Sequence, residues 1–172
     1  MQLLTEASKG CLLLPLWGQD AINAISWVQK NVKQECLAED GIEREPHVTV
    51  LYGFVPSVNP EDVCDSVAGF GKVAFRLGKI SRFEQDDHDM LKVDVEGETL
   101  HALHDHLLND FEGLVEQTYP TYTPHMTLAY VKKGALKELD GHCHFDGQIF
   151  VFDLAVYSTP ESKERYFAHL DA

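Results

Sequence analysis

The sequence predicts an α+β domain whose two similar lobes face each other across a central cleft. Two observations carry this: a seven-residue segment occurs twice, and amphipathic helices interleave with strands that pair as hairpins. Pro46-His47-Val48-Thr49-Val50-Leu51-Tyr52 and Pro124-His125-Met126-Thr127-Leu128-Ala129-Tyr130 repeat proline, histidine, threonine and tyrosine in register, 78 residues apart. Side chains at i and i+2 of a strand share a face, so each histidine points with its threonine, about 6 to 7 Å further along the chain. Two such strands side by side set two imidazoles and two hydroxyls around one cleft.

The elements follow in order. Gly10 to Trp17 reads as a first buried strand, and from Asp20, an N-cap, Ile22, Ile25, Val28, Val32 and Cys36 recur at helical spacing up to Asp40-Gly41. The first His-x-Thr strand comes next. Asn59-Pro60-Glu61-Asp62 has a capping side chain, a proline at the first helical position and carboxylates at the positive end of the dipole, which starts a helix running to about Phe70. Val73 to Glu84 and Met90 to Val95 read as a hairpin with a long acidic loop, Gln85-Asp86-Asp87-His88-Asp89. Leu100, Leu103, Leu107, Leu108 and Phe111 mark a third helix, and the second His-x-Thr strand follows. Lys133 to Leu139 reads as a short helical connection, Gln148 to Tyr157 as one long strand, and Arg165 to Leu170 as an edge strand. No linker divides the 172 residues, so a single domain is expected.

A chain of this length buries about 70% of its unfolded surface and does not need crosslinks for stability. Cys11, Cys36, Cys64 and Cys143 form no Cys-x-x-Cys pair, and no charged-then-apolar leader opens the sequence. Reduced thiols in the cytoplasm are the expectation, with no membrane span. The net charge of −14 repels long polyanions, whose binding rests on phosphate neutralisation, so a nucleotide substrate would be small. Lys132 and Lys133 are the candidate basic patch, or else a solvated strand end.

Histidine gives or takes a proton near neutral pH. Of two imidazoles flanking a phosphodiester, a neutral one can deprotonate the attacking hydroxyl while a protonated one supplies the leaving oxygen. The two threonine hydroxyls can donate to non-bridging oxygens as charge builds. His47, Thr49, His125 and Thr127 are therefore the candidate catalytic residues, with no cofactor and no metal required. A lone His-x-Thr on a half-buried strand would be ordinary; the duplication in register argues for a site.

These residues resemble the 2H phosphoesterase superfamily, named for its two His-x-Thr/Ser motifs, over nearly the whole chain. The resemblance implies a bilobal, LigT-like α+β fold with two antiparallel-rich sheets and helices outside, and metal-independent cleavage of phosphodiesters. It carries His47 and His125 over as acid and base, in undecided order, and Thr49 and Thr127 as phosphate ligands. Glu45-Pro46-His47-Val48-Thr49-Val50-Leu51-Tyr52-Gly53 is most similar to the phage anti-CBASS branch, which degrades cyclic nucleotide messengers of antiviral defence. A small cyclic nucleotide is thus the implied partner, in the host cytoplasm if the chain is phage-encoded. RNA-end 2′,3′-cyclic phosphodiesterases and 2′-5′ RNA ligase-like enzymes share the motif and are the alternative, as is a nucleotide-binding module without turnover.

Further candidates are Asp153, which interrupts an apolar run and either reads a base or orients a histidine, or else faces solvent; Trp17, which stacks on a base or packs in the core; and Tyr157 and Phe83 in similar roles. His101, His104 and Asp105 are read as the polar flank of the third helix rather than metal ligands, and His142-Cys143-His144 lacks zinc spacing. His88 and His169 receive no role.

Overall fold

The computed structural model describes residues 8–171. Nine strands form one curled sheet: β1 (Gly10–Pro15), β2 (Leu37–Ile42), β3 (His47–Phe54), β4 (Val73–Glu84), β5 (His88–Glu96), β6 (His125–Lys132), β7 (Ile149–Phe152), β8 (Leu154–Ser158) and β9 (Arg165–His169). Three helices join it: α1 (Gly18–Asn31), α2 (Pro60–Val67) and α3 (Glu98–Asp110). The sheet order is β7-β4-β5-β6-β3-β1-β8-β9, all antiparallel, with β2 pairing with β6 off this path. One lobe contains β3, β1, β8 and β9 and the other β6, β5, β4 and β7; a single pair, Val48 with Met126, joins them.

Alternation sorts the side chains. On β1 the even residues Leu12 and Leu14 are fully buried, while Cys11, Leu13 and Pro15 are partly exposed on the opposite, cleft-facing side. The core collects Val48, Val50, Phe54, Leu77, Val93, Leu103, Leu107, Met126 and Val131, each at most 1% exposed, with the apolar faces of α1, α2 and α3. Burial on this scale, at about 25 cal/mol per Å² of apolar surface, is the main force holding both lobes. α2 starts as read from the sequence: the Asn59 side chain accepts from the Glu61 N–H at 3.1 Å and Pro60 occupies the first turn.

Four segments differ from the sequence reading. α1 begins at Gly18 with Trp17 in the capping position, so Asp20 lies in the first turn rather than before it. The helix ends at Asn31, and the region through Asp40-Gly41 becomes a short 3-10 turn (Gln34–Cys36) and then β2, whose exposed Glu39 and Asp40 concealed a strand lying off the main sheet path. The acidic loop is shorter than expected, since His88 and Asp89 already belong to β5. Asp89 is 1% exposed and accepts from Arg82 at 3.0 Å and from the Gly134 N–H at 2.9 Å.

The long strand Gln148 to Tyr157 is two strands. The chain breaks at Asp153, with β7 pairing to β4 on one edge of the path and β8 to β1 near the other, so Asp153 is where the curled sheet nearly closes on itself. Tyr157 consequently pairs with Leu12 on the core side; it is 1% exposed and meets Phe54 edge-on at 5.4 Å. Its hydroxyl occupies the space a side chain on Gly10 would fill, which accounts for glycine there. Tyr157 is a core residue and not a cleft aromatic.

Candidate active site

β3 and β6 are copies of each other in space as well as in sequence. With Val48 opposite Met126 in an antiparallel pair, His47 stands across from Thr127 and Thr49 across from His125, so a local two-fold axis passes between the motifs. Each imidazole therefore neighbours the other motif's hydroxyl, all four on one face.

A bulge follows each threonine. Leu13 pairs with Thr49 and Leu12 with Leu51, leaving Val50 as an extra residue; Lys92 pairs with Thr127 and Leu91 with Ala129, leaving Leu128 extra. The bulges flip the alternation, so Tyr52 and Tyr130 return to the partly exposed face that carries the histidines, which strict period two would deny them. They also bend both strands away from each other beyond the Val48–Met126 pair, which opens the cleft.

Both imidazoles are oriented in the same way. His47 Nδ1–H donates to the Glu45 carbonyl at 2.6 Å and His125 Nδ1–H to the Thr123 carbonyl at 2.9 Å. A carbonyl only accepts, so Nδ1 carries the proton and Nε2 is the nitrogen left for proton exchange. The Thr127 hydroxyl rests on Met90 Sδ at 3.4 Å, a weak acceptor that a phosphate oxygen would readily displace. Where β3 and β6 part, Tyr122 takes over: its hydroxyl donates to the Thr49 carbonyl at 2.7 Å, and its ring stacks on His104 at 3.9 Å, tilted by only 3°. His104 Nδ1–H in turn donates to the carbonyl of the bulge residue Val50 at 2.8 Å. His104 is thus a buried brace under the first motif and not the polar flank of α3 that its spacing suggested.

The two halves differ in what flanks them. Beside the first motif, β1 presents Pro15 opposite His47 and Leu13 opposite Thr49; beside the second, β5 presents Asp94 opposite His125 and Lys92 opposite Thr127. Lys92 is 5% exposed, and its ammonium donates to Ser81 Oγ at 2.6 Å and Asp94 Oδ1 at 2.7 Å, 4.4 Å from the centre of the Phe83 ring. Phe83 meets His125 edge-on at 5.0 Å. Burial lowers the pKa of His125, and Lys92 and His47 push it further down, against the Thr123 hydrogen bond and Asp94. For Asp94, burial works against its charge, but the hydrogen bonds from Lys92 and Ser81 and the Lys92 charge hold it below the usual carboxylate range.

Other candidates lie away from the quartet. Trp17 is half exposed beside Phe167, and with Asp153 it lines a groove that none of the four catalytic candidates lines. Lys132 donates to the Glu35 carbonyl, and Lys133 to the Gln85 carbonyl with Asp89 alongside; both stay exposed at the end of β6, the solvated strand end of the two readings. His144 stacks on Trp27. Lys92, Ser81, Asp94 and Tyr122 were absent from the sequence reading. Lys92 and Asp94 do alternate on one face between the apolar residues Leu91, Val93 and Val95, a signal that period two could have flagged, whereas Tyr122 sits in a loop without periodicity.

Comparison with known proteins follows the same geometry. The E. coli LigT structure with 3′-AMP is 15% identical, with a TM-score of 0.64 over 95% of this chain and 94% of that one. A structure described as a phosphoesterase is 13% identical, with a TM-score of 0.66 over 94% and 99%. Kluyveromyces marxianus Usb1 is 12% identical, with a TM-score of 0.58 over 96% and 100%. At such identities these likenesses establish the LigT-like fold. No curated protein sequence matches the chain. The family model of the 2′-5′ RNA ligase superfamily matches residues 20–140, which span both histidine strands and most of the sheet between them. The chain therefore belongs to the 2′-5′ RNA ligase superfamily of 2H phosphoesterases.

Proposed function

We propose that the chain is a phosphodiesterase that cleaves 3′-5′ bonds of small cyclic di- or oligonucleotide signals without a metal, in a phage counter-defence setting. The observation that carries the chemistry is the two-fold arrangement of His47, Thr127, Thr49 and His125 about the Val48–Met126 pair. One imidazole Nε2 takes the proton of the ribose 2′-hydroxyl as its oxygen attacks the adjacent phosphorus. The other imidazolium gives its Nε2 proton to the departing 5′-oxygen, and Thr49 and Thr127 donate to the non-bridging oxygens. The products are a 2′,3′-cyclic phosphate and a free 5′-hydroxyl, and water can open the cyclic phosphate by the same steps in reverse roles. A binding module would have no need of two matched proton-transfer groups.

The preference for a small cyclic substrate rests on the net charge of −14 and on the similarity of the Glu45 to Gly53 stretch to the anti-CBASS branch. The ligands bound in the structural relatives, 3′-AMP on LigT and uridine monophosphate on Usb1, favour a second reading as an RNA-end 2′,3′-cyclic phosphodiesterase or 2′-5′ RNA ligase-like enzyme. The deciding experiment incubates the protein, with EDTA present, with cyclic dinucleotides, cyclic trinucleotides, 2′,3′-cyclic mononucleotides and short RNAs, and identifies products by mass. Linearised cyclic oligonucleotides support the first reading; turnover confined to RNA ends or 2′,3′-cyclic mononucleotides overturns it in favour of the second.

A further inference from the structure

The two motifs are equivalent by sequence and by local symmetry, yet the reaction needs one neutral and one protonated imidazole. Something outside the motifs must tell them apart. The neighbouring strands supply the difference: apolar Pro15 and Leu13 beside the first motif, and charged Asp94 and Lys92 beside the second.

We propose that Lys92, clamped by Ser81 and Asp94, is a positioning residue that breaks the equivalence of the two histidines by acting on His125. Its three ammonium hydrogens have partners: Ser81 Oγ at 2.6 Å, Asp94 Oδ1 at 2.7 Å, and the face of Phe83 at 4.4 Å. Ser81 passes a hydrogen bond on to the same carboxylate oxygen at 2.6 Å, so the cluster is closed and rigid. With its donors engaged and 5% exposed, Lys92 is built to act through its field and through the Phe83 ring it shares with His125, and not to grip a phosphate.

The charged and titratable groups facing His125 are Lys92 and Asp94 from β5 and His47 from β3, while β4 contributes the uncharged Ser81 and Phe83. Lys92 and His47 disfavour a proton on His125 and Asp94 favours one. Lys92 therefore biases His125 toward arriving neutral, as the proton acceptor, which leaves His47 to donate. This assignment of direction rests on the phosphodiesterase reading; the coupling of Lys92 to His125 does not.

The test is the NMR titration of the His125 ring in the substrate-free protein, compared with Lys92→Met, which keeps the stem and removes the charge, and Asp94→Asn. In Lys92→Met the midpoint should rise by about half a pH unit or more, the scale of one partly screened charge nearby, and in Asp94→Asn it should fall. Asp94 has a half-exposed side chain, so its variant remains informative if Lys92→Met fails to fold. A purely structural role would move neither midpoint. An unchanged or lowered midpoint in folded Lys92→Met, or an unchanged or raised one in Asp94→Asn, overturns the proposal. The acidic limb of kcat/KM, followed in parallel on a cleaved substrate, should move with the midpoint. If no substrate is cleaved by the wild type, the functional reading falls while the titration still decides the coupling.

Discussion

Val50 and Leu128 occupy the same place in the two halves: each is the extra residue of a β-bulge, one position past the threonine of its motif. The pair explains how a simple repeat becomes a site. Ahead of each bulge, histidine and threonine share the cleft face. At the bulge the strand bends, the two motifs diverge from their shared Val48–Met126 pair, and the space between the Nε2 atoms becomes available to a substrate.

In the proposed reaction each histidine carries one half of the proton exchange, so His47→Ala and His125→Ala should each reduce phosphodiester turnover at least about a hundredfold while the protein stays folded. Thr49→Val and Thr127→Val should also slow the reaction, by about a hundredfold, as each removes one donor to the phosphate. Rates on the substrate found by the product screen check all four. Near wild-type turnover by a folded histidine variant would contradict the assignment.

The pH dependence has a defined sign. The rate should follow a bell, rising where the accepting imidazole loses its proton and falling where the donating one does. Burial, Lys92 and His47 shift His125 downward, so the rising limb should lie on the acid side of an ordinary histidine. A profile rising monotonically from about pH 5 to 9 under chemistry-limited conditions would count against paired imidazoles.

Tyr122 is the clip between the halves. It lies three residues before His125 and bonds the carbonyl of Thr49, tying the approach to one motif onto the other. Burial pushes its phenol well up, so it remains a donor throughout the working range. Tyr122→Phe should cost only about 1 kcal/mol of stability, the net worth of one neutral hydrogen bond. Its effect on kcat should be larger, about tenfold with KM little changed, because misplaced catalytic groups are penalised steeply. Urea denaturation and steady-state kinetics on the same preparation separate the two effects.

Asp89 anchors the hairpin that presents Lys92. Burial opposes its charge, but the bond from the Gly134 N–H, the bond from Arg82 and the charges of Lys133 and Arg82 hold its pKa below the ordinary carboxylate range. A depressed folded-state pKa means that its contribution is present above the unfolded value near about 4 and is lost as pH falls through the folded value. Asp89→Asn should destabilise the protein by about 3 kcal/mol at neutral pH and flatten the loss of stability on acidification. Denaturation midpoints across a pH series would show both.

The parts of this molecule legible in the sequence are those governed by local rules. The twin motifs revealed themselves through period two and repetition, and α2 through its Asn59-Pro60 cap. What stayed hidden depends on contacts between distant segments. Nothing local distinguishes Val50 as a bulge, because the extra residue exists only relative to β1. Counted along one strand from Ile149, Tyr157 falls on the face of Asp153; the switch between sheet edges at Asp153 places it in the core instead. Lys92 belongs to the site because β5 lies beside β6, a neighbour relation that no periodicity encodes.

The charge of the whole chain bears on which phosphodiester reaches the cleft. A net −14 repels an extended polyanion over the Debye length, about 8 to 10 Å at physiological salt, whereas a compact cyclic ligand carries fewer charges and presents one phosphate to His47 and His125. The cationic groups near the quartet are internally satisfied, Lys92 by Asp94 and Arg165 by Glu45, so they offset little of that repulsion. A cyclic oligonucleotide should therefore be cleaved with a higher kcat/KM than a long RNA of the same base composition. Added salt should raise the long-RNA value by screening the repulsion while leaving the cyclic substrate comparatively unaffected. Both constants measured across a salt series provide the check. A preference for long RNA at low salt would mean that a local positive field outweighs the global charge, and would move the proposed substrate from cyclic signals to RNA while leaving the same four residues to perform the chemistry.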